Sequence, residues 1–294
     1  MHSLALCSIS VLLSIMKEDL SINLSLSKEL ITIICFFLIA SIGVSHGSLD
    51  NYKGIKILKK YNIKNSSYFY LAYITFSIIV ILLWMVLPEI TLILFLIVAA
   101  FHFGKEDNVF KKTKIKFLSL FLFLKGALII LAPLYFNFDE TVKIFEILNL
   151  KIANIDSNLL ISLLAISLLS SFIINEDFAF PFIDCFTIIL LNYTFSPLVA
   201  FTIYFCFLHS IRHSISLIDE MDNKNFINGM KIFFKKALPL TIITGLLFLL
   251  GLFILNNYYS INNSILKVVF IGLASLTFPH ILLEYLLEKD EKRT

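Results

Sequence analysis

Charge is what this sequence has least of. Lysine, arginine, aspartate and glutamate make up only 15% of the 294 residues, against 59% hydrophobic residues and a mean hydropathy of +0.90. Soluble domains average roughly a quarter charged residues, so a single aqueous fold is excluded and the bilayer must act as solvent. A net charge of +3 gives no ground for a nucleic-acid partner, and none is expected. The four cysteines, Cys7, Cys35, Cys185 and Cys206, lie scattered in apolar stretches without a CxxC pair, which argues against a disulfide framework or a zinc cluster. They read as small apolar fillers. There is no GxSxG motif, no Gly/Ser linker, no internal repeat and no soluble appendage, so residues 1–294 read as one integral membrane domain.

What is there is a succession of apolar runs: Leu4 to Ile15, Leu30 to Ser45, Tyr68 to Leu87, Ile90 to Phe103, Phe117 to Phe136, Leu159 to Ile174, Phe182 to Phe195, Leu198 to His213, Leu238 to Leu255 and Leu266 to Leu287. Several fall short of the roughly 20 residues a helix needs to cross hydrocarbon, so the expectation is an all-α, polytopic helix bundle of eight to ten membrane segments. The stretch from Phe180 to Leu217 is too long for one span, and Pro197 marks a break within it. The N-terminal run lacks a basic leader and a small-residue cleavage site, and reads as a short first span rather than a removed signal peptide. A start at Met16 is the alternative.

Lysine placement orients the bundle. Lys53, Lys56, Lys59, Lys60 and Lys64 form one loop, and Lys105, Lys111, Lys112, Lys114 and Lys116 another, both cytoplasmic by the positive-inside rule. Alternation then puts Asp139, Glu140, Glu146 and Asp156 outside. With a break at Pro197, Lys224, Lys231, Lys235 and Lys236 and the tail with Lys289, Lys292 and Arg293 fall inside.

Five of the six histidines lie in or at the ends of these runs: His46, His102, His209, His213 and His280. Only His2 reads as incidental. Ionisable groups at membrane depth are costly and usually face a bundle interior; one alone is more often a packing residue, so the case rests on the group. His209 and His213 are four apart, which on a helix places both rings on one face. By the topology above, His46, His102 and the His209/His213 pair all sit at cytoplasmic ends of their spans, and His280 lies in the cytoplasmic half of the last. Four imidazoles at one depth, with a fifth close to that layer, point to a metal site.

Carboxylates follow at matching intervals: Asp50 four after His46, Glu106 four after His102 with Asp107 beside it, and Glu284 four after His280. They would offset a cation's charge and orient ligand N–H groups, although Asp50, Glu106 and Asp107 read equally well as surface charges. Arg212 is expected either to snorkel or to pair with Asp50. Gly47, Gly54 and Gly104 permit helix ends or close backbone approach.

At these residues the chain resembles a known family. SHGSLD (Ser45 to Asp50), FHFGKED (Phe101 to Asp107), HSIRH (His209 to His213) and TFPH (Thr277 to His280) are similar to the successive histidine motifs of the Brp/Blh family of β-carotene 15,15′-dioxygenases. Val44-Ser45 and Phe101 stand where the family commonly has Leu-Pro and Trp. The resemblance implies a membrane enzyme that uses Fe(2+) and O₂ to split the central double bond of β-carotene into two retinals. It implies His46, His102, His209 and His213 as catalytic iron ligands, His280 as a further histidine of the site, membrane lipid as the surrounding medium, and a functional link to a retinal-binding rhodopsin. A bacterial or archaeal inner membrane is the expected location.

Thirty Phe and eleven Tyr supply aromatic surface for an apolar tunnel. Three rivals are kept. A desaturase or hydroxylase would usually carry eight or more histidines in several boxes, and this chain has six. A haem carrier or transporter would spread its histidines along a route rather than gather them. A retinal-binding protein would need a mid-span lysine, for which Lys125 is the only near candidate.

Overall fold

The computed structural model describes residues 2–23, 27–107, 115–152 and 155–291, with the side chains at 13, 16–23, 46 and 291 outside that description. Thirteen α-helices follow in order among the described residues: α1 (His2–Asn23), α2 (Lys28–Leu38), α3 (Asp50–Lys60), α4 (Ser67–Val86), α5 (Pro88–Glu106), α6 (Leu118–Phe136) and α7 (Phe138–Ile147). They continue with α8 (Ser157–Ile174), α9 (Ala179–Thr194), α10 (Pro197–Ile203), α11 (Ile211–Met221), α12 (Phe226–Leu255) and α13 (Ile261–Glu291). Among the described residues, eight helical stretches are long and apolar enough to cross a membrane, as expected of an all-α polytopic bundle. Their outward faces expose large apolar side chains such as Leu246, Leu250 and Phe253 of α12. In water such a face would drive association; in lipid it is the solvated side.

The break before Pro197 falls where the sequence places it, with α9 ending at Thr194 and α10 beginning on the proline. The apolar parts of α1 and α9 are the two short ones. They pack against each other, and Ser14 Oγ and Thr194 Oγ1 meet at 2.9 Å.

Several segments expected to be loops are helical. Lys53, Lys56, Lys59 and Lys60 lie on α3; Lys231, Lys235 and Lys236 on the first turns of α12; Asp139, Glu140 and Glu146 on α7. Hydropathy marks where a helix meets hydrocarbon, whereas the helix itself continues through polar residues that reach the interface. Lys236 does this over the ring of Tyr52, 3.6 Å from its centroid.

Among the described helical residues, two stretches depart from α-geometry, and both adjoin a histidine. Ile39–Gly43 and Tyr204–Ser210 are π-helical, the first running into the 3-10 turn Ser45–Leu49 that carries His46, the second ending on His209 and Ser210. An i→i+5 ladder leaves carbonyls without their usual donor. Here the second π-segment supplies the first, with Ser210 Oγ donating to the Gly43 carbonyl at 2.8 Å.

The tightest crossing joins α5 to α6. A Cβ on Gly104 would collide with the Leu122 carbonyl, and one on Gly126 with the Ala100 carbonyl. Ala100 and Gly104 form a small-xxx-small face that lets the two backbones touch. This contact holds the end of α5, and so His102, Glu106 and Asp107, at a fixed depth.

Candidate metal centre

Four of the five span histidines converge. His102 comes from α5, His209 from the second π-segment, His213 from α11 and His280 from α13. The ring centroid of His102 lies 5.2 Å from those of both His209 and His280, and that of His213 lies 6.2 Å from His280. His102, His209 and His280 are each at most 5% exposed. The side chain of His46 lies outside the described residues. Its backbone sits in the turn immediately before Asp50, which is part of the cluster.

Three rings are held at Nδ1 by carboxylates. His280 Nδ1 donates to Asp50 at 2.8 Å, His209 Nδ1 to Asp107 at 3.0 Å, and His213 Nδ1 lies 3.0 Å from Glu106 Oε2. A carboxylate only accepts, so each neutral imidazole carries its proton on Nδ1 and presents the lone pair of Nε2. That arrangement is the one by which ligand histidines are oriented and made more basic around a cation. His102, His280 and Glu284 can each offer a ligand atom within 4.8 Å of the others, and so can Glu106, His213 and Glu284. The donor chemistry, imidazole with carboxylate, suits first-row transition metals.

The sequence interval does not tell which carboxylate serves which ring. Asp50, four residues after His46, holds His280, while Glu106 and Asp107, on the helix of His102, hold His213 and His209. Every one of these pairs crosses between helices. Glu284 does lie near its own-helix partner, with Oε1 3.8 Å from His280 Nε2, and Lys53 and Lys105 approach it at 3.8 and 3.9 Å.

Arg212 neither snorkels nor pairs with Asp50. Its guanidinium donates to Asp184 Oδ1 at 2.8 Å, Ser3 Oγ at 2.9 Å and the Asp107 carbonyl at 3.2 Å. The reason is the face of the helix: Arg212 turns toward α9 and α1, whereas Asp50 lies on the α13 side of the cluster. Tyr204 OH donates to Asp107 Oδ2 at 2.5 Å and Tyr73 OH to Asp50 Oδ2 at 2.9 Å. Lys125 is buried, donating to the Asp107 carbonyl at 2.9 Å. His2, taken from sequence as incidental, meets the Phe207 carbonyl through Nε2 at 2.5 Å and so braces the π-segment that carries His209.

Of the glycines singled out, Gly104 and Gly54 mark close approaches, the latter against the ring of Phe69, whereas Gly47 faces open space. Gly126, Asp184, Tyr73 and Tyr204 were not legible as site residues. For Asp184 a signal was available, since it is the single carboxylate in the run Phe182 to Phe195. The two tyrosines are indistinguishable from the other nine by sequence.

Beside the cluster lies a cavity of about 920 Å³, near the upper end of ordinary ligand pockets at roughly 300–1,000 Å³. His102, His280 and Asp50 form part of its wall at one end, and Phe95, Phe201, Phe248 and Phe270 line its length toward Lys267. Its wall is almost wholly apolar.

The fold and the site together define a membrane helix bundle with a buried histidine–carboxylate centre opening onto a lipophilic cavity. The chain belongs to the Beta-carotene 15,15'-dioxygenase family, whose pattern it matches over residues 37–288. A Beta-carotene 15,15'-dioxygenase from uncultured marine bacterium 66A03 is 29% identical over 261 residues, covering 84% of this chain and 90% of the relative. No solved structure matches.

Proposed function

We propose that this protein splits the 15,15′ double bond of β-carotene with O₂, at ferrous iron held by His102, His209, His213 and His280 together with His46. The observation that carries the reading is the shared position of His102 and His280, which belong both to the buried cluster and to the wall of the apolar cavity. A bound polyene would thereby lie against the same imidazoles that hold the metal. Iron, when bound, would supply the activation of O₂; in the net reaction one C=C bond and the O–O bond break and two aldehyde C=O bonds form.

The chain's own residues bind, orient and exclude. The phenylalanines of the cavity bind a substrate that partitions into lipid and offers no hydrogen bonds. Asp50, Asp107 and Glu106 hold the Nδ1 protons of His280, His209 and His213, so that Nε2 stays available as ligand. Tyr73 and Tyr204 fix two of those carboxylates. Enclosure of the rings keeps bulk water from reactive oxygen.

Two rival readings lose support. Four described histidines gather in one cluster, which disfavours a transport route, and Lys125 stands outside the wall of the large cavity, which disfavours a lysine-linked retinal there. Expression in cells that accumulate β-carotene, with extraction and chromatography for retinal, tests the proposal. Loss of colour with retinal appearing, and neither change in His213→Ala, is the expected result. Intact β-carotene beside folded, iron-loaded protein would show that the substrate is another polyene.

A further inference from the structure

Far from the histidines, the apolar cavity carries a cation. Among the described residues Lys267 is the one lysine or arginine in its wall. It is the first residue of α13 to line the cavity, and His280 is the last. The two lie thirteen positions apart on that helix, about 20 Å along its axis at 1.5 Å per residue. Phe201, Phe248 and Phe270 line the cavity with them. With its central double bond at the histidines, a carotenoid would place the far edge of one terminal ring at the Lys267 end, since half the molecule fills this interval once the contact gaps at both ends are added.

Lys267 turns toward protein. Its Nζ donates to the carbonyl of Ile147, the last residue of α7, at 2.6 Å and lies 4.8 Å from the centre of the Tyr259 ring. An ammonium has three N–H donors, and the Ile147 carbonyl uses one. The ring face attracts the charge as a whole, so a donor is left for an acceptor in the cavity. A cation beside an apolar passage at membrane depth is costly and marks a function. A hydrocarbon ring offers it no acceptor, whereas a ring that bears a hydroxyl or keto oxygen does.

We propose that Lys267 is a specificity residue, donating a hydrogen bond to an oxygen on the terminal ring of the substrate, so that the protein cleaves ring-oxygenated carotenoids as well as β-carotene. The inference rests on the reading that this cavity holds a carotenoid with its central bond at the histidines. With β-carotene bound, Nζ keeps the Ile147 carbonyl and the ring is held by apolar contact alone.

The test uses full-length, iron-loaded protein in detergent with β-carotene and with zeaxanthin, which has a hydroxyl on both rings, so that either orientation brings a hydroxyl to Lys267. Lys267→Met should lower kcat/KM for zeaxanthin about tenfold, chiefly through KM, which is the scale of one lost hydrogen bond to a charged group. It should leave kcat/KM for β-carotene within about twofold, and Lys267→Arg, which keeps donors, should recover part of the loss. An equal loss with both carotenoids would show that Lys267 only braces α13 against α7 and would overturn the proposal, as would no change with either. Wild type that cleaves β-carotene and not zeaxanthin would also overturn it, and leave β-carotene cleavage standing. Should wild type cleave neither, the cleavage reading fails and binding decides, read as quenching of Trp84, whose ring lies 6.4 Å from that of the cavity residue Phe95. Tighter zeaxanthin binding by wild type than by Lys267→Met would then uphold the role of Lys267, and equal binding would overturn it.

Discussion

Asp50 and His280 stand 230 positions apart in the chain, and their side chains meet with Oδ1 2.8 Å from Nδ1. The pair ties the start of α3 to the middle of α13, and Tyr73 of α4 closes it by donating both to Asp50 and, at 3.3 Å, to the Leu276 carbonyl. One buried carboxylate thus joins three helices at the wall of the cavity, and any loss there should be felt by the metal before it is felt by the fold.

Asp50→Asn and Asp107→Asn keep size and remove charge from His280 and His209. Iron affinity should drop by about 10–100-fold in each, read by competition with a chelator. Glu288→Gln, which removes only the half-exposed partner of Lys105, should leave affinity unchanged. Equal affinities in all three variants would remove these carboxylates from the site.

Gly126→Ala should destabilise the bundle by about 1–3 kcal/mol or more, because the added methyl meets the Ala100 backbone rather than a movable side chain. The unfolding midpoint in detergent checks this. Gly47→Ala has open space around it and should shift stability by less than about 0.5 kcal/mol.

Asp184→Ala removes the nearest charged partner of the Arg212 guanidinium, which is 12% exposed on its side chain and keeps Ser3 Oγ and the Asp107 carbonyl. Breaking one half of a buried pair costs about 3–5 kcal/mol, so the protein should lose most of its yield and melt far earlier. Asp184→Asn retains an acceptor and should recover part of the loss. A silent Asp184→Ala would mean that Arg212 finds water instead.

Ala99→Phe fills the cavity one turn before His102, on the same wall. It should raise KM for β-carotene and lower kcat/KM at least tenfold while iron content stays at the wild-type level. Iron lost together with turnover would place Ala99 in the support of the centre rather than in the passage.

His2→Ala removes a hydrogen bond to the Phe207 carbonyl. Such a bond contributes about 1 kcal/mol, so a slightly lower melting point with retinal formation retained is expected. Full loss of iron would show that α1 holds the π-segment in place.

Composition alone decided the solvent and hence the secondary structure, since a chain this apolar must satisfy its backbone polar groups within itself, and uninterrupted apolar runs do so as helices. The same logic made the five span histidines legible, because hydrocarbon tolerates an ionisable ring only for cause, and Pro197 marked the α9–α10 break because it has no N–H to give. Partnership was not legible. The spacing of four that sets Asp50, Glu106 and Glu284 after histidines is a property of one stretch of chain, whereas the structure pairs carboxylates and rings across helices, from Asp50 to His280, Glu106 to His213 and Asp107 to His209. Which face of α11 turns Arg212 toward Asp184, how the π-segments lock at Gly43 and Ser210, and how closely Gly104 and Gly126 bring α5 to α6 are matters of helix rotation and depth. Those are set by the packing of all the helices at once, and no local stretch of sequence contains them.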